Sequence, residues 1–248
     1  MIRRPVLVLL MAAAIVPGSA PASFAQSAQP SAAPPPAAAA APPAIYRPPL
    51  RGAPGGRVGG ASRSALVPAE PLPVISLFAP ADHTGLTASS EPSLYFFISR
   101  GSRWPTELAI AAPGQAAPVL DTRIPTPTAA GIYALPLARY HVHLQPGVIY
   151  TWSVSVVLDP HAWSRNIVAS ATIMFEPQQA ARPGPGIAPA QRVAELAGAG
   201  LWYDAIAAAI ADEDRDGHVA VDALLHQVGL DAAAAYDRQA ATPPPARP

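Results

Sequence analysis

Cysteine and lysine are both absent from the 248 residues. Without cysteine there can be no disulfide, thiolate metal site, cysteine nucleophile or lipid-modified cysteine anchor. Without lysine every long cation is an arginine, and 16 cations balance 16 carboxylates. A net charge of zero gives no general electrostatic footprint for nucleic acid or an anionic membrane. Aromatic residues are also scarce, at 6%. Half the chain is apolar, but much of that half is alanine in low-complexity runs, which adds little bulk to a core. Catalytic signatures are missing too. There is no Gly-x-Ser-x-Gly elbow and no His-Glu-x-x-His pair. A hydrolase would have to assemble its site from dispersed loops, and the sequence favours a non-enzymatic protein.

Proline is abundant, at 33 residues, and it marks the chain's divisions. Residues 1–25 have the layout of a secretory signal. Arg3 and Arg4 precede the apolar run Val6 to Val16, Pro17 and Gly18 break it, and Ser23-Phe24-Ala25 offers small residues for cleavage, with Gly18-Ser19-Ala20 as a second choice. The apolar run is too short for a membrane span of ~20 residues. A periplasmic or secreted location is therefore expected, with no transmembrane helix after cleavage. Residues 26–44, 179–190 and 240–248 are rich in Ala and Pro and have too little bulky apolar surface to offset the entropy of ordering. They are expected to be a disordered linker, an internal linker and a disordered C-terminus.

Between residues 74 and 178 the hydrophobic period is two. In Val148 to Leu158, Tyr150, Trp152, Val154 and Val156 share one face, while Thr151, Ser153 and Ser155 share the other. Ile167 to Phe175 alternates in the same way, and Leu94 to Ile98 is a dense apolar run. Shorter strands are expected at Val74–Phe78, Glu107–Ala111, Val119–Ile124 and Ile132–Leu137. About seven short strands in ~100 residues point to a mainly β fold, an immunoglobulin-like or fibronectin-like sandwich. Leu144-Gln-Pro-Gly147 ahead of Tyr150 fits a tyrosine corner, in which the hydroxyl satisfies a backbone group at the turn.

From residue 191 to 239 the period lengthens. Val193, Leu196, Ala197 and Leu201 recur at helical spacing, Leu201 to Ala211 forms a second candidate helix and Val221 to Val228 a third. Two or three such short helices cannot build a large core alone. They are expected to dock together or on the sandwich, with Trp202 and Tyr203 as anchors.

Three stretches hold the candidate binding chemistry. Arg47, Arg51, Arg57 and Arg63 alternate with glycines in an extended arm, residues 45–73. The arm either pairs with an open sheet edge or uses its guanidiniums to grip a partner. In the second stretch, Asp212, Asp214 and Asp216 occupy positions one, three and five of an EF-hand calcium loop, with Gly217 at six and the His218 carbonyl at seven. Position twelve is Ala223 where a bidentate Glu belongs, so any calcium site is weak; no other cofactor is implied. In the third, His141-Val-His143 would place two imidazoles on one strand face, a zinc pair without an evident third ligand.

The arm from Tyr46 to Arg63, together with Gly85-Leu86-Thr87, Glu91-Pro92, Leu144 to Trp152 and Gly200-Leu-Trp-Tyr-Asp-Ala205, resembles the uncharacterised bacterial family called domain of unknown function 928. After Asp159-Pro160 that family tends to keep an Arg-Ser pair, which is reversed here as Ser164-Arg165. The resemblance implies a secreted or periplasmic protein and assigns no catalytic residue. The expected function is a non-catalytic exported module that binds an envelope or secreted protein. Weak calcium binding and a dispersed-site hydrolase are the alternatives.

Overall fold

The computed structural model of the chain describes residues 42–49, 58–59, 71–179, 186–212 and 215–241. Among these residues nine strands form two sheets. They are β1 (Val58–Gly59), β2 (Ile75–Leu77), β3 (Gly85–Thr87), β4 (Ser93–Ile98), β5 (Thr106–Ala111), β6 (Leu120–Ile124), β7 (Gly131–Pro136), β8 (Ile149–Val156) and β9 (Ile167–Phe175). The first sheet has the order β1-β2-β4-β7 and the second β3-β9-β8-β5-β6. Every pairing is antiparallel except β3 with β9. The chain thus leaves the first sheet after β2, crosses through Pro80 to Thr84, and joins the second as a parallel edge strand. The result is the mainly β, immunoglobulin-like sandwich that the period-two pattern predicts.

Alternation fixes which side of each strand is buried. Tyr150, Trp152, Val154 and Val156 of β8 face inward with Leu108 and Ile110 of β5 and Ile167, Ala169 and Ala171 of β9, all buried. The opposite side of β8 and β9 carries Thr151, Ser153 and Ser170, which suits a sheet face left to water. At the turn into β8, Gly147 has φ +73°, a conformation that only glycine adopts freely. The Gln145 N–H then donates to the Tyr150 hydroxyl at 3.2 Å, closing the tyrosine corner.

Two strands are not evident from periodicity. β1 is two residues long and β3 three, too short to show an alternation. β1 nevertheless shows the arm pairing with an open edge: Val58 lies opposite Ser76 and Gly59 opposite Ile75.

Among the described residues four helices follow rather than two or three: α1 (Pro189–Gly198), α2 (Trp202–Ala211), α3 (Arg215–Gln227) and α4 (Asp231–Ala241). The third starts six residues before Val221. The fourth is rich in alanine and has few large apolar residues to reveal a helical stripe. α2 packs on both β3 and β4, and so bridges the two sheets. Its Trp202 donates Nε1–H to the Phe78 carbonyl at 2.8 Å, and its Tyr203 hydroxyl accepts from Trp152 Nε1 at 2.9 Å and donates to the Thr172 carbonyl at 3.0 Å. These three aromatic side chains are fully buried. Sandwich and helices therefore share one continuous core.

Asp204, in the first turn of α2, accepts a hydrogen bond from the Ala88 N–H at 2.9 Å. Burial raises its carboxyl above the usual carboxylate value, and that effect outweighs the hydrogen bonds from Ala88 and Thr87, which lower it. A carboxyl whose pKa is higher folded than unfolded binds its proton more tightly in the native state. Its stabilising contribution is therefore complete below the unfolded value, ~3.9, and is lost as pH rises through the raised folded value. Subtracting the stability profile of Asp204→Asn from that of the parent is expected to leave a difference that falls with rising pH across this window. A flat difference in thermal melts would contradict the assignment.

Candidate partner-binding surface

Antiparallel order gathers three loops at one end of the sandwich: residues 99–105 after β4, 125–130 after β6 and 157–166 after β8. The Ser102 N–H donates to the Pro127 carbonyl at 2.7 Å, and the Val157 N–H donates to the Pro105 carbonyl at 2.9 Å, which ties the loops to one another.

The β8–β9 loop is braced from within. Asn166 accepts from the N–H groups of Leu158 and Asp159 through Oδ1, at 2.9 and 3.1 Å. Asp159 accepts from the His161 N–H at 2.9 Å and pairs with Arg165 at 3.2 Å. A short 3₁₀ turn, Trp163–Arg165, sits at the tip and leaves Trp163 68% exposed. The other three tryptophans are fully or partly buried. A fixed loop that holds a large aromatic side chain in water leaves apolar area unburied, area that a partner can cover. On the neighbouring loop, the Arg103 guanidinium lies 4.7 Å from the Trp104 ring centroid, and Arg100 of the same loop is exposed. Trp and Arg are the residue types most often dominant in binding energy at protein interfaces.

Of the arm's cations, Arg47 is described and is exposed, while Arg51, Arg57 and Arg63 lie outside the described residues. What the arm contributes next to Arg47 is a clamp. Tyr46 is buried, packs edge-on against Trp202 with ring centroids 4.9 Å apart, and hydrogen-bonds through its hydroxyl to His83 Nε2 at 2.7 Å. Burial pushes the Tyr46 hydroxyl well above the usual tyrosine value, with the Asp82 carboxylate adding to the rise. The Arg47 N–H donates to the Ala197 carbonyl at 3.0 Å, and Gln227 binds both the Tyr46 N–H and the Ala44 carbonyl at 2.8 Å. The clamp thus takes in Ala44, a residue that composition assigns to the preceding linker.

The described part of the acidic stretch is helical from Arg215 onward. Asp214 lies outside the described residues, and Asp212 follows the end of α2. Asp216, Gly217 and His218 are wound into the first turns of α3. An EF-hand needs glycine at its sixth position for a sharp turn, whereas Gly217 is needed for close approach: a Cβ there would stand 1.8 Å from the Asp212 carbonyl oxygen and 2.9 Å from that of Ala209. His218 joins Asp237 of α4, Nδ1 to Oδ2, at 3.0 Å. Thermal melts in millimolar calcium and in chelator are accordingly expected to coincide. A site held at ten times its dissociation constant would add about 1.4 kcal/mol, so a calcium-specific rise lost in Asp214→Ala would restore the calcium loop.

The two histidines of the third stretch do not share a strand face. His141 closes a 3₁₀ turn with φ +54°, and His143 lies 3.6 Å from Glu91. Among the described residues, no group of three or more His, Asp or Glu is placed to hold a metal ion.

Pattern reading misses Trp163, Arg100, Arg103 and Trp104. The signal for Trp163 is present: an aromatic residue in a ten-residue hairpin loop, outside the alternation of either flanking strand. No curated protein matches the chain, and no solved structure does. The match that exists is to a family, over residues 58–237, which covers β1 to β9 and all but the last residues of α4. The chain belongs to the family described as Domain of Unknown Function (DUF928).

Proposed function

We propose that this protein is an exported, non-catalytic interaction module that docks an envelope or secreted protein through the loop end of its sandwich. The observation that carries the proposal is Trp163, held in water by a loop whose own hydrogen bonds fix its shape. A loose loop would lose conformational entropy on docking, whereas this one has little left to lose. Fold alone would not support the reading, because sandwiches of this kind host many functions. The reading also draws on the signal-like N-terminus, which directs the chain to a compartment where such a partner is found.

A photo-crosslinking residue placed at Trp163 is expected to capture one reproducible protein partner in intact cells. The same group at Ser153, on the outer face of the second sheet, is the control and is expected to capture none. Equal capture from both positions, or none from Trp163, would overturn the proposal. Mass spectrometry of the exported chain tests the location: the mature protein is expected to begin after Ala25 or Ala20.

A further inference from the structure

A sheet that does not close on itself leaves edge strands with a row of unpaired N–H and C=O groups. Among the described residues these edges are β1, β3, β6 and β7. β1 and β3 are two and three residues long, and β7 has no charged side chain and ends in Pro136. β6 is different. It runs Leu120-Asp121-Thr122-Arg123-Ile124, with Pro118 and Pro125 close to its ends. A proline has no N–H to give a ladder, so these two limit the length of edge that can pair.

The two charged residues of β6 are exposed and share the outer face of the second sheet. Arg123 stands opposite Glu107 of β5, with Nε 3.6 Å from the carboxylate, and its side chain is 74% exposed. A guanidinium carries five N–H donors, so Arg123 can keep Glu107 and still meet a second carboxylate. Asp121 stands opposite Ala109, which offers it no charge.

Paired antiparallel with a second copy about a two-fold axis beside Thr122, β6 matches itself position by position. Asp121 comes opposite Arg123 of the second copy, Arg123 opposite Asp121, and Leu120 opposite Ile124. Directly opposite side chains are ~4.5–5.5 Å apart at Cβ, close enough for both charge pairs to form. Other registers fail. Centring on Asp121 sets two carboxylates face to face, and centring on Arg123 sets two guanidiniums face to face, which destabilises the pair. A slip of one residue loses both charge contacts.

We propose that β6 is a dimer edge, on which a second copy of this chain adds its own β6 in the register centred on Thr122. The contact is isologous, and the two five-stranded sheets run on as one. Because the joined strands are antiparallel, the loop ends of the two copies point in opposite directions. The proposal makes no use of Trp163, so it and the docking function can fail separately.

Sedimentation of the full mature chain up to millimolar concentration is expected to show a monomer–dimer equilibrium. Asp121→Arg and Arg123→Asp each set like charges at both contacts and are expected to stay monomeric. Mixing the two variants in equal amounts restores opposite charges and is expected to restore the dimer. If Arg123→Asp does not fold, because Glu107 then faces a carboxylate, Asp121→Arg decides alone: loss of the dimer supports the proposal and its persistence overturns it. The register has its own test. The chain has no cysteine, so Thr122→Cys adds a single thiol that meets its own copy on the axis. Oxidation is expected to link that variant into a covalent dimer and to leave Thr128→Cys, exposed at the loop end, unlinked. A monomer at every concentration, a mixture of folded variants that stays monomeric, or equal linking from both cysteine positions would each overturn the proposal.

Discussion

Replacing Trp202 by alanine is expected to lower the unfolding free energy by about 3–5 kcal/mol, the usual cost of removing a fully buried tryptophan. In a chain of this size each kcal/mol moves the midpoint by ~2–4 °C, so the melt should fall by roughly 10 °C. The effect is large because three elements meet on one indole. Tyr46 of the arm packs edge-on against it, Phe78 accepts its N–H, and the helix that carries it bridges both sheets. Trp202→Phe keeps much of the packing and loses the hydrogen bond, leaving the buried Phe78 carbonyl without that donor; it should cost about 1–3 kcal/mol. Hydrogen exchange would locate the damage. Loss of Trp202 should deprotect amides in α1 and α3 together with the Arg47 N–H that binds Ala197. A variant within 1 kcal/mol of the parent, with protection unchanged, would mean that the helices and the sandwich are independent.

The opposite pattern is expected for Trp163. Its ring is mostly in water, so Trp163→Ala should change stability by no more than about 0.5 kcal/mol, as at other surface sites. Partner binding should weaken by 2 kcal/mol or more, which is at least ~30-fold in dissociation constant. Arg165→Ala should have a smaller effect, because its guanidinium already serves Asp159 inside the loop. The readout is titration of the captured partner against the parent and both variants, with melts recorded alongside. A Trp163→Ala protein that binds as tightly as the parent would remove the loop end as the docking surface.

Much of the sandwich was legible in the sequence because a sheet with one buried face repeats every two residues. β8 and β9 showed this in full, and the Leu-x-Pro-Gly turn ahead of Tyr150 specified the corner hydrogen bond. Short edge strands were not legible, since Val58–Gly59 and Gly85–Thr87 carry too few residues to display a period. The acidic stretch is ambiguous in a different way. A spacing of Asp at alternate positions followed by Gly fits a calcium loop locally, but a glycine is also what a close approach needs, and the approach of Gly217 to the Asp212 and Ala209 carbonyls is seen only in the folded chain. The contact between His218 and Asp237 was invisible in the sequence because the two residues are 19 positions apart.

By itself the sequence determined the alternating strands, the tyrosine corner, the absence of any thiol chemistry and the spacing of the first two helices, because each depends on neighbours within a few residues. Only the tertiary structure decided that the arm clamps Trp202, that Trp163 stands in water while the other tryptophans are covered, and that His218 meets Asp237. Those outcomes depend on contacts between residues that are distant in sequence, and composition and periodicity carry no record of such contacts until the chain has folded.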